Sequence, residues 1–586
     1  MITEEIATQR SAPQRGSRLS RWQLAVIGAV VALAAGIGLV LGFSVLAPRA
    51  NPLGGAASYL PADTVFYVEA RLDQSPAQAQ AMSALLKRFP AVKADKPLMD
   101  LIGSGLDQGL SSAGAPVSWA NDIEPWFDGH VAIGMLDYPV AGMTTGNMTM
   151  PNFAVLFGAT DPAAAGAFLD KVRAQMASEG SSLTSSQHAG ATIWSLKAAS
   201  GSQPPEAGSF AFAVAGDQVI VANGTSIVET LLDTHRGTQS FAGRPELQQL
   251  SAHLPADWTA FYAVDSAQIF AQLTAAMQQA DPSAAALFNA YLPTVPTFGV
   301  ATVSFASDAL LFDAAGSVPA GSYANSRRDL ASMAPPDALL FGDAGDVGTG
   351  LAKTVAALKG VAEAQQDGGQ TKQMLDQAEA ALGADLEDFV SWIGDGAVVA
   401  GMTGSTPYGG LILRAKDTDA ATRRLGQLKS LLQLVAQSGG EQLRVSTDTV
   451  SGVEVTTISV KTGTATDVVP VPADVMVQYA MKDDTVLIGF GDQFVGRSLS
   501  LADGASLADA DRFVNAVDRF GGANNSSVTF VDLAGLRTAV EGAVGADLPQ
   551  EYTQQIQPNL VPFDYLVSVT QADGDAVVTH YGVVVK

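Results

Sequence analysis

The chain has 586 residues, of which 47% are hydrophobic and 16% charged; its formal net charge is −25 and it holds no cysteine. The length exceeds what one core organises, so two or more domains are expected, and the apolar fraction excludes bulk disorder. Lack of cysteine excludes disulfides, thiolate metal sites and cysteine nucleophiles, and a surface this acidic repels nucleic acid and anionic lipid headgroups.

Residues 1–23 form a basic cytoplasmic tail in which Arg10, Arg15, Arg18 and Arg21 outnumber Glu4 and Glu5. Leu24 to Ala47, LAVIGAVVALAAGIGLVLGFSVLA, carries no charge. At about 1.5 Å per residue it is long enough to cross a hydrocarbon core of about 30 Å. Trp22 stands where an interfacial ring is favoured, and the positive-inside rule places the N-terminus in the cytoplasm and residues 48–586 outside. A cleaved signal peptide is the rival reading. The apolar run is longer than an ordinary signal core, and Pro48 would follow a cleavage at Ala47, so an uncleaved, single-pass signal anchor is expected. Residues 48–57, PRANPLGGAA, read as a Pro/Gly linker.

Beyond the linker the chain reads as two extracytoplasmic α+β units, 58–325 and 326–586. Each opens on a strand (VFYVEA, ALLFGDA), followed by one or two helices, strands, a helix, a long hairpin and further helices, and ends on a hairpin. Phe168, Leu169, Val172 and Met176 form a helical stripe, as do Leu425, Leu428, Leu432 and Val435. Gly216-Asp217 and Asp483-Asp484 read as hairpin turns, so pairing is expected to be largely antiparallel. The irregular mixture favours α+β over strict βαβ alternation.

The two units repeat one another. FAVAGDQVIVANGT (212–225) matches YAMKDDTVLIGFGD (479–492) at an offset of 267, and so do DGHVAIGM (128–135) and DGAVVAGM (395–402). Pro61-Ala62-Asp63 matches Pro335-Pro336-Asp337 at 274, while a longer loop at 136–152 in the first unit drops the offset to 256 at Asp161/Asp417. A period this long indicates domain duplication rather than a solenoid.

YLPADTVFY (59–67), AGDQVIVANGTSIVETLL and SFAGRPELQQL, with their second-unit counterparts, resemble an uncharacterised family of bacterial membrane-anchored proteins (domain of unknown function three-three-five-two). The resemblance covers nearly all of 58–586. It implies a bacterial envelope protein and supplies no activity or catalytic residues.

Motifs for chemistry are absent from the sequence: no HExxH, no P-loop, no GxSxG elbow and no complete EF-hand. His130, His188, His235, His253 and His580 lack histidines at their matching positions. Six carboxylates recur in both units: Asp63/Asp337, Asp128/Asp395, Asp161/Asp417, Asp217/Asp484, Asp265/Asp532 and Asp308/Asp575. Gathered together they would suggest an acid/base pair or cation site; read locally they are turns, hairpin tips and helix caps. The local reading is preferred, and Trp126 and Trp392, before the Asp-Gly pairs, are expected to pack in cores. No catalytic, cofactor or metal residue is therefore assigned. The expected role is structural, scaffolding or partner-binding in the envelope, with the membrane and an envelope protein as partners. A carrier or sensor of an apolar ligand and a hydrolase with an unrecognised site are the alternatives.

Overall fold

A computed structural model describes residues 53–92, 103, 105–108, 117–138, 150–178, 183–196, 210–237, 239–280, 284–285, 288–289, 295–364, 370–404, 406–438, 443–461, 474–545 and 548–586. The expected tail and membrane span, 1–23 and 24–47, lie outside them. Among the described residues no helix is long and apolar enough to cross a membrane.

The strands are half-apolar segments bounded by turn residues; among the described residues twenty join one sheet, and Ser326–Arg327 pairs with Asn524–Asn525 in a separate two-stranded ladder. The first ten are β1 (Phe66–Arg71), β2 (Phe127–Met135), β3 (Phe153–Ala159), β4 (Leu183–His188), β5 (Ala191–Leu196), β6 (Ala211–Ala215), β7 (Gln218–Ala222), β8 (Ala260–Val264), β9 (Gly299–Ala306) and β10 (Ala309–Ser317). The second ten are β11 (Ala338–Ala344), β12 (Ile393–Thr403), β13 (Thr406–Ala415), β14 (Leu443–Val450), β15 (Val453–Lys461), β16 (Asp474–Lys482), β17 (Thr485–Phe490), β18 (Ser527–Asp532), β19 (Phe563–Asp573) and β20 (Ala576–Val585).

Every ladder is antiparallel. The first ten strands lie in the order β4-β5-β6-β7-β3-β2-β1-β8-β9-β10. The second ten continue as β20-β19-β18-β11-β12-β13-β17-β16-β15-β14. The join is β10 against β20, with Asp313 opposite His580. Read from either end, the order is the same once ten is added to each label.

Helices fill the crossovers. α1 (Pro76–Leu86) starts at Ser75, whose hydroxyl accepts from the Gln78 amide, with Pro76 in the first turn. α2 (Pro162–Ser178) buries Val172 and Met176, the inner half of the expected stripe. α3 (Ser266–Ala280) and α5 (Leu533–Val544) bury no residue, and α4 (Thr418–Ser438) packs Leu425 against a small cluster around Trp392. Two main cores lie in the two halves, and they exchange members. Ala576 and Val578 of β20 belong to the first, and Ala309 of β10 to the second. α1 packs against β9 and the end of β20 through Met82, Leu85, Leu86, Phe305 and Val585.

Two expectations are corrected. The linker 48–57 does not run free to residue 57: Gly55–Ser58 is a 3-10 turn, and Ala56 and Ala57 are buried. The entering backbone is fixed there by a buried carboxylate described below. Asp128-Gly129 is not a turn leading into a strand but lies within β2, where the register against β3 shifts between Phe127 and Val131 and Gly129 takes φ +95°. Asp395-Gly396 stands at the same kind of shift, between Ile393 and Gly396. An Asp-Gly pair signals a backbone that leaves the ordinary β region; whether that becomes a turn or a bulge is decided by the neighbouring strand.

Candidate functional site

The recurring aspartates mostly serve the fold. Asp161 accepts from the amides of Ala163 and Ala164, and Asp417 from Ala420, so both cap helices. Asp265 caps α3 through the Gln268 amide at 2.9 Å and pairs with Arg244 at 2.8 Å. Asp532 does the same for α5 through Gly535 at 2.6 Å and with Arg512 at 2.6 Å. Asp63 and Asp337 sit in turns closed by Thr64 onto Pro61 and by Ala338 onto Pro335. Asp217 and Asp484 sit at hairpin tips whose carbonyls accept from Ala159 and Ala415. Asp308 and Asp575 occupy the β9–β10 and β19–β20 tips and bond across the halves, to Arg519 and Gln249. Trp126 and Trp392 are buried.

Asp395 joins a charged group with Arg328, and Asp128 joins another around His130. Its carboxylate accepts from the His130 amide at 2.7 Å. The His130 ring stands between two acids, with Nδ1 at 3.1 Å from Glu69 and Nε2 at 3.3 Å from Asp73. Burial disfavours the imidazolium, but the hydrogen bonds to Asp73 and Glu69 and the negative charges around it outweigh burial and raise the pKa to about 10. Both ring nitrogens therefore donate at neutral pH.

Glu69 on β1 is fully buried. Besides His130 it accepts from the Tyr67 hydroxyl at 2.8 Å and from the Gly54 amide, at 3.0 and 2.9 Å to its two oxygens. A Cβ at residue 54 would stand 2.6 Å from Glu69 Oε1, so this close approach needs glycine. The second half has a matching centre. Asp343 on β11 is buried, and Arg328 Nη1 lies 3.6 Å from it and 3.0 Å from Asp395. The longer distance is not a hydrogen bond, and both Asp343 oxygens lack a hydrogen-bond partner. Burial pushes the Asp343 pKa up to about 7, against the opposing pull of Arg328. Gly54/Arg328 and Glu69/Asp343 share one sequence offset, 274. In each half, then, the entering segment meets a buried acid on the first strand.

Sequence reasoning missed Glu69, Asp343 and Arg328. The available signal was a lone acid inside an apolar strand, in VFYVEA and in ALLFGDA. The other histidines are dispersed: His188 pairs with Asp233, His253 with Asp573 and His580 with Asp313, while His235 stacks on Tyr59 at 3.8 Å. Among the described residues no group of three or more His, Asp or Glu is arranged to hold a metal ion.

An open cavity of about 660 Å³ runs beside α5. Leu339, Met402, Ala539 and Gly542 supply apolar wall, and Arg537 and Lys586 supply cations. Asp337 and Asp532 also line it, each held by an arginine, Arg497 at 2.7 Å and Arg512 at 2.6 Å. On another face of α5, Leu536, Val540 and Val544 are exposed at i, i+4 and i+8.

The molecule is thus a mixed α+β protein built on a large antiparallel sheet. The chain belongs to the family described as a protein of unknown function, DUF3352, whose model matches residues 25–585. No curated protein matches it. Among solved structures, crystal form IV of TP0453 is similar over 44% of this chain and 94% of its own, at 11% identity and a TM-score of 0.19. Crystal form III of TP0453 is similar over 44% and 95%, at 10% identity and 0.18. At those TM-scores the likeness carries no argument about this chain.

Proposed function

We propose that this protein is a bacterial envelope scaffold, held at the membrane by residues 24–47, that presents two copies of one α+β unit to a protein partner and is not an enzyme. The observation that carries the binding role is the apolar stripe of α5. Leu536, Val540 and Val544 are 43%, 54% and 46% exposed on a helix that buries no residue. A row of apolar side chains at helical spacing suits helix-in-groove or face-on docking. The duplicated acids support the same reading, since they are occupied by caps, turns and ion pairs rather than gathered for catalysis.

The duplication reading rests on the sheet. Its order repeats about the β10–β20 join, and the residues paired there, Asp313 and His580, are themselves 267 apart. That is the offset of the sequence repeat, which supports a local twofold relation between the units about this pair. Their side chains meet at 2.6 Å.

The scaffold reading is tested by crosslinking and affinity capture of the full chain from native membranes. A protein partner recovered with the wild type and lost with Val540→Glu is expected. Failure of the wild type to retain any partner would overturn the reading.

A further inference from the structure

We infer that the cavity beside α5 is a binding site for an anionic amphiphile with one carboxylate-like head and an alkyl chain. It stands on the cavity's own geometry, independently of the scaffold reading.

The space exists because of side-chain choice on equivalent helices. α3 and α5 are aligned in register by their caps, Asp265 on Gln268 and Asp532 on Gly535. Counting from those caps, α3 places Gln268 and Gln272 where α5 has Gly535 and Ala539. Gln268 extends far enough for its Nε2 to donate to the Asp63 carbonyl at 3.3 Å. On α5 a Cβ at Gly535 would stand 2.6 Å from Asp532 and 2.7 Å from Leu339, so no side chain fits there, and the short Ala539 leaves the volume beside Met402 open. Folding needs the cap at both helices; it does not need the cavity beside α5. Its size lies within the range of small-molecule sites, about 300–1,000 Å³.

The polar groups define the head. Arg537 occupies the position of Phe270 on α3, and Lys586 that of Pro319. Arg537 is largely buried, with its side chain 18% exposed, and its Nε and Nη1 have no hydrogen-bond acceptor. Its nearest acid, Glu541, stands 3.8 Å from Nε, beyond hydrogen-bond length, and already accepts from the Tyr552 hydroxyl. A guanidinium with unfilled donors favours a planar two-oxygen acceptor. The Lys586 side chain is 54% exposed and its Nζ lies 3.8 Å from Asp564, which Arg512 already engages at 2.8 Å. Asp337 is paired with Arg497, while Arg512 is shared between Asp532 and Asp564, so Lys586 offsets the second of those acids and Arg537 is the cation with unfilled donors. The net charge of −25 repels anions at long range, but that field is screened within about 8 Å at physiological salt. Inside the cavity the unfilled donors of Arg537 decide. Thr538 also lines it, its hydroxyl spent on the Ala534 carbonyl at 2.9 Å, and the apolar side chains Leu339, Met402 and Ala539 suit an alkyl chain.

The probe is palmitate carrying a diazirine in its chain, applied to the full chain in phosphocholine nanodiscs, with crosslinked peptides mapped by mass spectrometry. A parallel arm uses the same diazirine chain within phosphatidylglycerol in the disc, to separate a free acid from a membrane lipid. Crosslinks at 402–404 and 534–543, displaced by unlabelled palmitate more effectively than by palmityl alcohol, are expected. Arg537→Gln should lower that labelling about tenfold while Arg537→Lys retains part of it, and Ala539→Phe, which fills the cavity, should abolish it. Labelling confined to 24–47, or labelling at α5 unchanged in both Arg537→Gln and Ala539→Phe, would overturn the assignment. Partner capture is read separately through Val540, so either reading can fail alone.

Discussion

His130, which holds the buried Glu69, and Asp343, the counterpart of Glu69, respond to pH for different reasons. The His130 pKa is raised in the fold, to about 10 from 6.5. Its contribution to stability is therefore complete below about pH 6.5 and is lost as pH rises through about 10. His130→Gln should destabilise residues 53–586 by about 1–3 kcal/mol near pH 6, with the gap to wild type closing as pH approaches 10. Denaturant midpoints measured across that range check it. Asp343 is an acid whose pKa is raised, to about 7 from 3.8. Its contribution is complete below about pH 3.8 and is lost as pH rises through about 7. Asp343→Asn should gain on the wild type between pH 4 and pH 8 in the same measurement, and an unchanged pH slope would refute the burial argument. Glu69 and Asp343 escaped the sequence reading because their partners, Gly54, His130 and Arg328, are brought to them by chain entry and strand pairing rather than by local spacing.

At the scale of the element, caps were legible and bulges were not. Asp161, Asp417, Asp265 and Asp532 each bond an amide two or three residues ahead, so the chain segment that carries the signal also carries the partner. Asp265 does more than cap: it is 6% exposed and holds Arg244, which lies over the Phe298 ring at 4.2 Å. Asp265→Ala should cost about 2–3 kcal/mol, because it removes a cap and the nearer carboxylate of Arg244, which keeps Glu246 at 3.3 Å. Asp161→Ala, at an exposed cap, should cost about 1 kcal/mol. Thermal melts of the two variants compared side by side measure the difference. The Asp-Gly pairs within β2 and β12 were read as turns because the partner strand that makes them bulges lies at a distance in sequence.

The whole molecule is held together by its shared sheet. β10 and β20 pair over nine residues, and Ala309 and Ala576 each belong to the core of the opposite half. Neither half closes its core without a strand from the other. Residues 53–586 should therefore unfold in one calorimetric transition, and Ala309→Asp and Ala576→Asp should each lower that same transition. Two resolved transitions, with each substitution moving only one, would contradict the shared-core arrangement.

Composition, periodicity and turn chemistry by themselves determined the α+β class, the antiparallel hairpins, the helix caps and the offset of 267, because each depends on residues near one another in the chain or on direct sequence comparison. Tertiary structure alone decided how the halves meet, which acids are buried and where space is left. Strand partners across the β10–β20 join, the Gly54 and Arg328 contacts and the cavity beside α5 all depend on segments far apart in sequence. Their geometry follows from packing, which a linear pattern does not encode.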